Sequence, residues 1–433
     1  MPVDTRIGEP ERRSVVRHRR VIYVHGYDLQ GVEGYYGMFR NGLDRFQKNW
    51  PVRAELGPFQ IHSDGWASWQ VTTAGRNWQA RTDYEFIRYD DVVAANMKRP
   101  ILGQIVASLR WMLDDLVSGT TARIIRAAWR FELHFAVFQL VLLAWITLPI
   151  AAGVLGAFAL WRSAILPASA AVIFATAVAA ALFFTLRPLA ERWFVVRILN
   201  CWPHFRTFAN GAPSCFDRSI ETGAARVTAA VDSGDADEIL VIGHSSGAPL
   251  ALAMMARALE RDSALGKRAS SLMVLTLGSV MPAVALHPRA QRMREIVRRV
   301  AADPHVEWVD CQSRKDILNF WNFDPVAGLG IDVGPGRRKP VICQVRFRDA
   351  LSDEHYRRLR RNFLRLHYQF VMAADQPAPY DYFTLTCGPV RAIDWARRGV
   401  LCSASSSRKF SMACRRRIRA PLGRAATCGS SMR

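Results

Sequence analysis

The chain has 433 residues, 50% of them apolar, 10% aromatic and 22% charged, which excludes intrinsic disorder and collagen-like repetition and leaves room for a large core. Its 58 Lys and Arg against 37 Asp and Glu give a formal charge of +21, but ten of the basic residues and no acid lie from Arg397 onward, so the remainder is only moderately basic. Eight cysteines with no CxxC pair and no zinc-ligand spacing read as reduced thiols, and the charged stretch 6–20 lacks the apolar segment of a secretory signal.

A charged leader, 1–19, precedes a β-branched run at 20–25 (RVIYVH), which reads as a buried strand ending at Gly26. A helix is predicted at 35–50, a strand at 84–89 (YEFIRY) and a helix at 101–117. Residues 135–161 are then uncharged and long enough to cross a hydrocarbon core of about 30 Å. A second uncharged run, 163–186, follows after Arg162, so 133–186 reads as a two-helix transmembrane hairpin. Pro149 and Pro167 are tolerated in such spans. Arg123, Arg126 and Arg130 precede the pair and Arg187, Arg192 and Arg197 follow it, which places both flanks in the cytoplasm by the positive-inside rule. Trp129, Trp161, Trp193 and Trp202 fall near the interfaces.

Beyond the hairpin a helix is predicted at 217–231, a buried strand at 238–242 (EILVI), a helix at 249–260, and strands at 272–277, 306–309 and 341–347. Alternating apolar strands and helices indicate a mostly parallel sheet covered by helices. Because the alternation continues across the spans, 20–132 and 187–396 are expected to form one discontinuous domain. Residues 397–433 are basic and without periodicity, and are expected to be disordered. Such a tail can attract anionic headgroups, but no motif in it supports specific nucleic-acid recognition.

Gly243-His244-Ser245-Ser246-Gly247 fits GxSxG and lies directly between the strand EILVI and the helix opening near Pro249, the context the motif's mechanics require. A tight turn there projects the Ser245 hydroxyl, and the helix amino end behind it offers backbone N–H groups to an anion. The Ser246 N–H is the natural first oxyanion donor. Val24-His25-Gly26-Tyr27 ends the first strand in the way needed for the second donor, the Tyr27 N–H, with His25 as a structural residue. With HG after one strand and GHSSG after a later one, the chain resembles the α/β-hydrolase superfamily, and more loosely its lipase- and esterase-like members with membrane insertions. The resemblance covers roughly 20–389 outside the hairpin.

That resemblance implies the chain order Ser, acid, His. The acid then falls in the loop after 306–309, where Asp316 is the first choice and Asp324, in a Phe-Asp-Pro-Val turn context, the rival; Asp310 lies in the same stretch. His367, in an apolar and aromatic setting, is preferred as base over His355, which sits among charges in DEHYRRLRR. The long spacing from the last strand to His367 requires an extra helix. Trp66, Trp69 and Trp78 read as buried packing. The expected activity is that of a membrane-anchored serine hydrolase cleaving ester bonds, lipid acyl esters included, on the cytoplasmic side and without metal or organic cofactor. The expected partners are an acyl ester or lipid substrate and the bilayer. A catalytically silent hydrolase-fold scaffold and an acyltransferase using the same nucleophile stand as alternatives.

Overall fold

The computed structural model describes residues 15–192, 195–335 and 339–403. Strands β1 (His18–Val24), β2 (Arg53–Leu56), β3 (Gln60–His62), β4 (Trp66–Ala74), β5 (Gln79–Ile87), β6 (Glu238–His244), β7 (Leu272–Leu277), β8 (Val306–Gln312) and β9 (Val341–Gln344) form one nine-stranded sheet. Their order is β2-β4-β5-β1-β6-β7-β8-β9, with β3 also paired to β4. Pairing is parallel from β5 through β9, and β2, β3 and β4 are antiparallel additions at one edge. The fold is mixed α/β with a mostly parallel sheet.

The central strands carry apolar residues on both faces, as a sheet covered on both sides requires. Ile239 and Val241 of β6 face a core shared with helices Asp217–Asp232, Ala248–Arg261 and Gln291–Ala302. Leu240 and Ile242 face the opposite core, shared with helices Gly31–Asn49 and Tyr382–Cys387. β1, from before the hairpin, pairs with β6, from after it, over Arg19↔Glu238 to Val24↔Gly243. Polypeptide on either side of the spans therefore builds one sheet.

Several boundaries differ from the sequence expectation. Val15 bridges Val390 and β1 starts at His18, so residues 15–19 belong to the body rather than to a leader, and 1–14 lie outside the described residues. Helix Ala392–Ser403 runs past position 397 into the expected tail, of which 404–433 lie outside the described residues. β2, β3 and β4 were not expected: the inward face of β4 is Ala67, Trp69, Val71 and Thr73, in which a small and a polar residue flank the two large apolar ones and blur the alternation. β8 continues to Gln312 because buried Asp310 and Gln312 are satisfied by side-chain hydrogen bonds. β9 stops at Gln344 and Phe347 opens the one-turn helix Phe347–Ala350.

Helices Thr120–Arg162 and Ala168–Arg192 are each long and apolar enough to cross a membrane, and they extend beyond both ends of the expected 133–186 hairpin. The first has a break at Ala128 (φ −155°, ψ 69°) and contains Pro149. The two pack closely: a Cβ on Gly153 would stand 2.3 Å from the Ala175 carbonyl oxygen, and the Trp145 ring stacks on Phe183 at 4.7 Å. Small residues at such a crossing let helices approach without a hydrophobic driving force. The base of the first helix is part of the body's core, with Phe131 against Phe320 (4.8 Å) and Phe135 against Trp202 (5.2 Å).

The lower end of the sheet is tied by a fully buried ion pair. Arg19 Nε donates to Glu238 Oε2 at 2.7 Å, its other nitrogens donate to the Gly388 and Val390 carbonyls, and Glu238 Oε1 accepts the Ala392 N–H. Removing one charge of such a pair leaves the other buried and uncompensated. Glu238→Gln is expected to lower the unfolding free energy by about 3–5 kcal/mol, read as an earlier denaturant midpoint in detergent; an unchanged midpoint would refute this account.

Candidate active site

β6 delivers Ser245 to the carboxyl end of the sheet, where ligands bind in open α/β folds. Ser245 has φ +57°, left-handed and costly for a non-glycine residue. One tight turn, Ser245–Gly247, leads directly into helix Ala248–Arg261. The flanking glycines are required: a Cβ on Gly243 would lie 2.5 Å from Ala248 Cα, and one on Gly247 would lie 2.3 Å from the His25 carbonyl oxygen. Side chains there would force the helix and β1 apart.

Asp316 lies in the loop after β8 and His367 ends the short helix Phe363–His367. Both are buried, and Asp316 Oδ2 lies 2.6 Å from His367 Nδ1. Asp316 Oδ1 accepts the Leu318 N–H at 2.9 Å, which holds the carboxylate in place. A carboxylate partner assigns the proton to Nδ1 and leaves Nε2 with its lone pair. Nε2 is buried and has no hydrogen-bond partner among the described residues, Ser245 Oγ included.

The turn after β7 brings the parts near one another. Val280 N–H donates to the Ser245 carbonyl at 3.4 Å, and a Cβ on Gly278 would lie 2.9 Å from His367 Cε1. The His244 ring lies 4.8 Å from that of His367, and its Nε2 donates to the His367 carbonyl at 3.3 Å. Burial, reinforced by His367, holds the His244 imidazole well below its usual pKa, so it stays neutral.

One of the two expected oxyanion donors is already occupied. Tyr27 N–H donates to the Ser246 hydroxyl oxygen at 2.7 Å, so this amide is engaged rather than free. His25 is structural, as expected: its ring stacks on Tyr89 at 4.2 Å, and Nδ1 donates to the Gly26 carbonyl. Burial lowers its pKa.

Asp324 Oδ1 accepts the Val326 and Ala327 N–H groups, capping the turn Ala327–Leu329, which is the role its Asp-Pro context foreshadows, whereas it is Asp316 that meets the imidazole. His355 pairs with Asp375 at 2.7 Å beside a surface recess of about 360 Å³ lined by Arg45, Ser352 and Arg358. The extra helices before His367 are Phe347–Ala350, Asp353–Leu359 and the residue's own. Trp69 is buried against Tyr84 at 4.6 Å, and Trp66 lies under Arg226.

Two residues were missed. Asp28 Oδ2 accepts the hydroxyls of Tyr35 (2.5 Å) and Tyr368 (2.8 Å), joining the loop after β1 to the residue that follows His367. The available signal was position: Asp28 directly follows His25-Gly26-Tyr27, and Tyr368 directly follows the imidazole. Elsewhere, Asp114, Asp115 and His287 gather possible ligand atoms within 4.8 Å of one another. Arg206 and Arg289 already pair with these carboxylates, which makes the cluster an ion-pair network.

Comparisons with protein-family models, with curated proteins and with solved structures find no match.

Strand β8, just before the Asp316 loop, carries a buried titratable group of its own. Burial pushes the Asp310 carboxyl from 3.8 up to about 6, against hydrogen bonds from Thr276 and Gln312 that favour its charged form. The folded state holds this proton more tightly than the unfolded state, so the group's stabilisation is complete below about pH 4 and is lost as pH rises through 6. Wild-type stability is expected to decline by about 2 kcal/mol more than that of Asp310→Asn between pH 4 and pH 7. Parallel pH profiles for the two proteins would exclude the shift.

Proposed function

We propose that the chain is a membrane-anchored serine hydrolase of the α/β-hydrolase type, acting on acyl esters through Ser245, His367 and Asp316. The observation that carries this reading is the buried Asp316–His367 pair beside the left-handed Ser245 turn. His367 Nε2 accepts the Ser245 proton as Oγ attacks the ester carbonyl. The Ser246 N–H, at the start of helix Ala248–Arg261, and the Tyr27 N–H, once released by the Ser246 hydroxyl, would hold the oxyanion. The imidazolium then protonates the departing alkoxide. Water, deprotonated by the same nitrogen, cleaves the acyl-enzyme and releases the carboxylic acid.

Two helices suited to a bilayer support anchoring, and Arg123, Arg126, Arg130 and Arg187 at their flanks favour the cytoplasmic side for the body. Placement at a membrane makes lipid acyl esters the preferred substrate class. Acyl transfer would use the same nucleophile with another acceptor. The second reading, a silent hydrolase-fold scaffold, is favoured by the engaged Tyr27 amide and the absent Ser245–His367 hydrogen bond.

A fluorophosphonate probe separates the readings. Wild type is expected to be labelled at Ser245, with labelling abolished in Ser245→Ala and slowed at least about 10³-fold in His367→Ala. Folded wild-type protein that resists the probe would favour the scaffold. For the acid, Asp316→Asn is expected to reduce ester turnover by about 10⁴-fold, as loss of the imidazole's orienting carboxylate does elsewhere. Asp324→Asn is expected to leave turnover unchanged. The reverse pattern would reassign the acid.

A further inference from the structure

The segment Arg360-Arg361-Asn362-Phe363-Leu364-Arg365 is exposed throughout, and buried Leu366 and His367 follow it at once. Phe363 and Leu364 are 41% and 47% exposed although apolar. The Phe363 ring lies 6.0 Å from that of His134, the last titratable residue before the uncharged run of the first membrane helix. The 27 residues of that run, 135–161, rise about 40 Å as an α-helix, close to a bilayer's thickness with its headgroup layers. His134, and Phe363 with it, therefore stands at headgroup level.

The exposed charges of 360–365 are all basic, whereas the nearby Glu132 and Asp316 are buried. Arg314 and Lys315, exposed and adjacent to buried Asp316, approach the same base: Arg130 Nη1 donates to the Arg314 carbonyl at 3.3 Å. Among the described residues no carboxylate pairs with Arg130, Arg314, Lys315, Arg360, Arg361 or Arg365. The exposed acids of the neighbouring helix Asp353–Leu359 are otherwise engaged, Glu354 with Arg358 and Asp353 with Arg348. Apolar tips ringed by arginines and continuous with a membrane helix are what an anionic headgroup layer accommodates.

We propose that 360–365 is a second membrane contact, in which Phe363 and Leu364 dip into an anionic bilayer and its arginines bind lipid phosphates. The loops bearing Asp316 and His367 then face the lipid, so acyl esters reach Ser245 from the membrane. The inference rests on the membrane reading of the hairpin and, for its last step, on the hydrolase reading.

Full-length protein is reconstituted in nanodiscs of phosphatidylcholine with or without phosphatidylglycerol, and backbone hydrogen exchange is followed at 361–366, with helix Gln291–Ala302 as internal reference. Exchange at 361–366 is expected to slow at least about tenfold in the anionic discs. That slowing is expected to vanish in a triple Arg360→Gln, Arg361→Gln, Arg365→Gln variant, and to shrink in Phe363→Ser with Leu364→Ser. Equal exchange in the two bilayers, or slowing that survives both variants, would overturn the proposal. Fluorophosphonate labelling of the same samples keeps the two readings apart: slowing without labelling sinks only the hydrolase reading, and labelling without slowing sinks only the membrane contact.

Discussion

The structure depends on the parallel pairing of β1 with β6, which lie on either side of the two long apolar helices and more than two hundred residues apart in the chain. That pairing places the His25-Gly26-Tyr27 turn against the Ser245 turn so tightly that Gly247 has no room for a side chain beside the His25 carbonyl. The Arg19–Glu238 pair locks the far end of the same two strands and ties both to the backbone at Gly388 and Val390. A buried guanidinium with a carboxylate and two carbonyls is well satisfied, and its value lies in fixing register as much as in net stability. Slipping β1 by one residue would break the pair and exchange the two apolar faces.

Most of the parallel sheet was legible because its strands are short apolar runs that need no partner to be recognised: 272–277 appears at the expected bounds, as does helix Ile101–Val117. The antiparallel edge was not, since the inward face of β4 sets Trp69 and Val71 between Ala67 and Thr73, whose burial follows from their neighbours rather than from their own hydrophobicity. The glycine spacing around Ser245 was readable for a steric reason that the backbone contacts make explicit. Choosing between Asp316 and Asp324 required tertiary information, because both sit in one loop and only the path of that loop decides which faces an imidazole 51 residues further on. The engaged state of Tyr27 N–H was equally hidden: a serine after the nucleophile fits the motif, but where its hydroxyl rotates is a matter of packing.

Electrostatically the site region keeps charge to a minimum. His25 and His244 are held neutral by burial, so the imidazole of His367 has aromatic and uncharged neighbours on the Ser245 side and a single carboxylate on the other. Asp28 is the other carboxylate nearby, and two tyrosine hydroxyls occupy it.

The position of the hairpin in the chain divides the protein by task. Upstream of it, β1 through β5 with helix Gly31–Asn49 provide sheet, packing, the Asp28 anchor and the Tyr27 amide, while Ser245, Asp316 and His367 all lie downstream. The three side chains that come together thus lie on one side of the two long apolar helices, which enter the chain without altering the spacing among them.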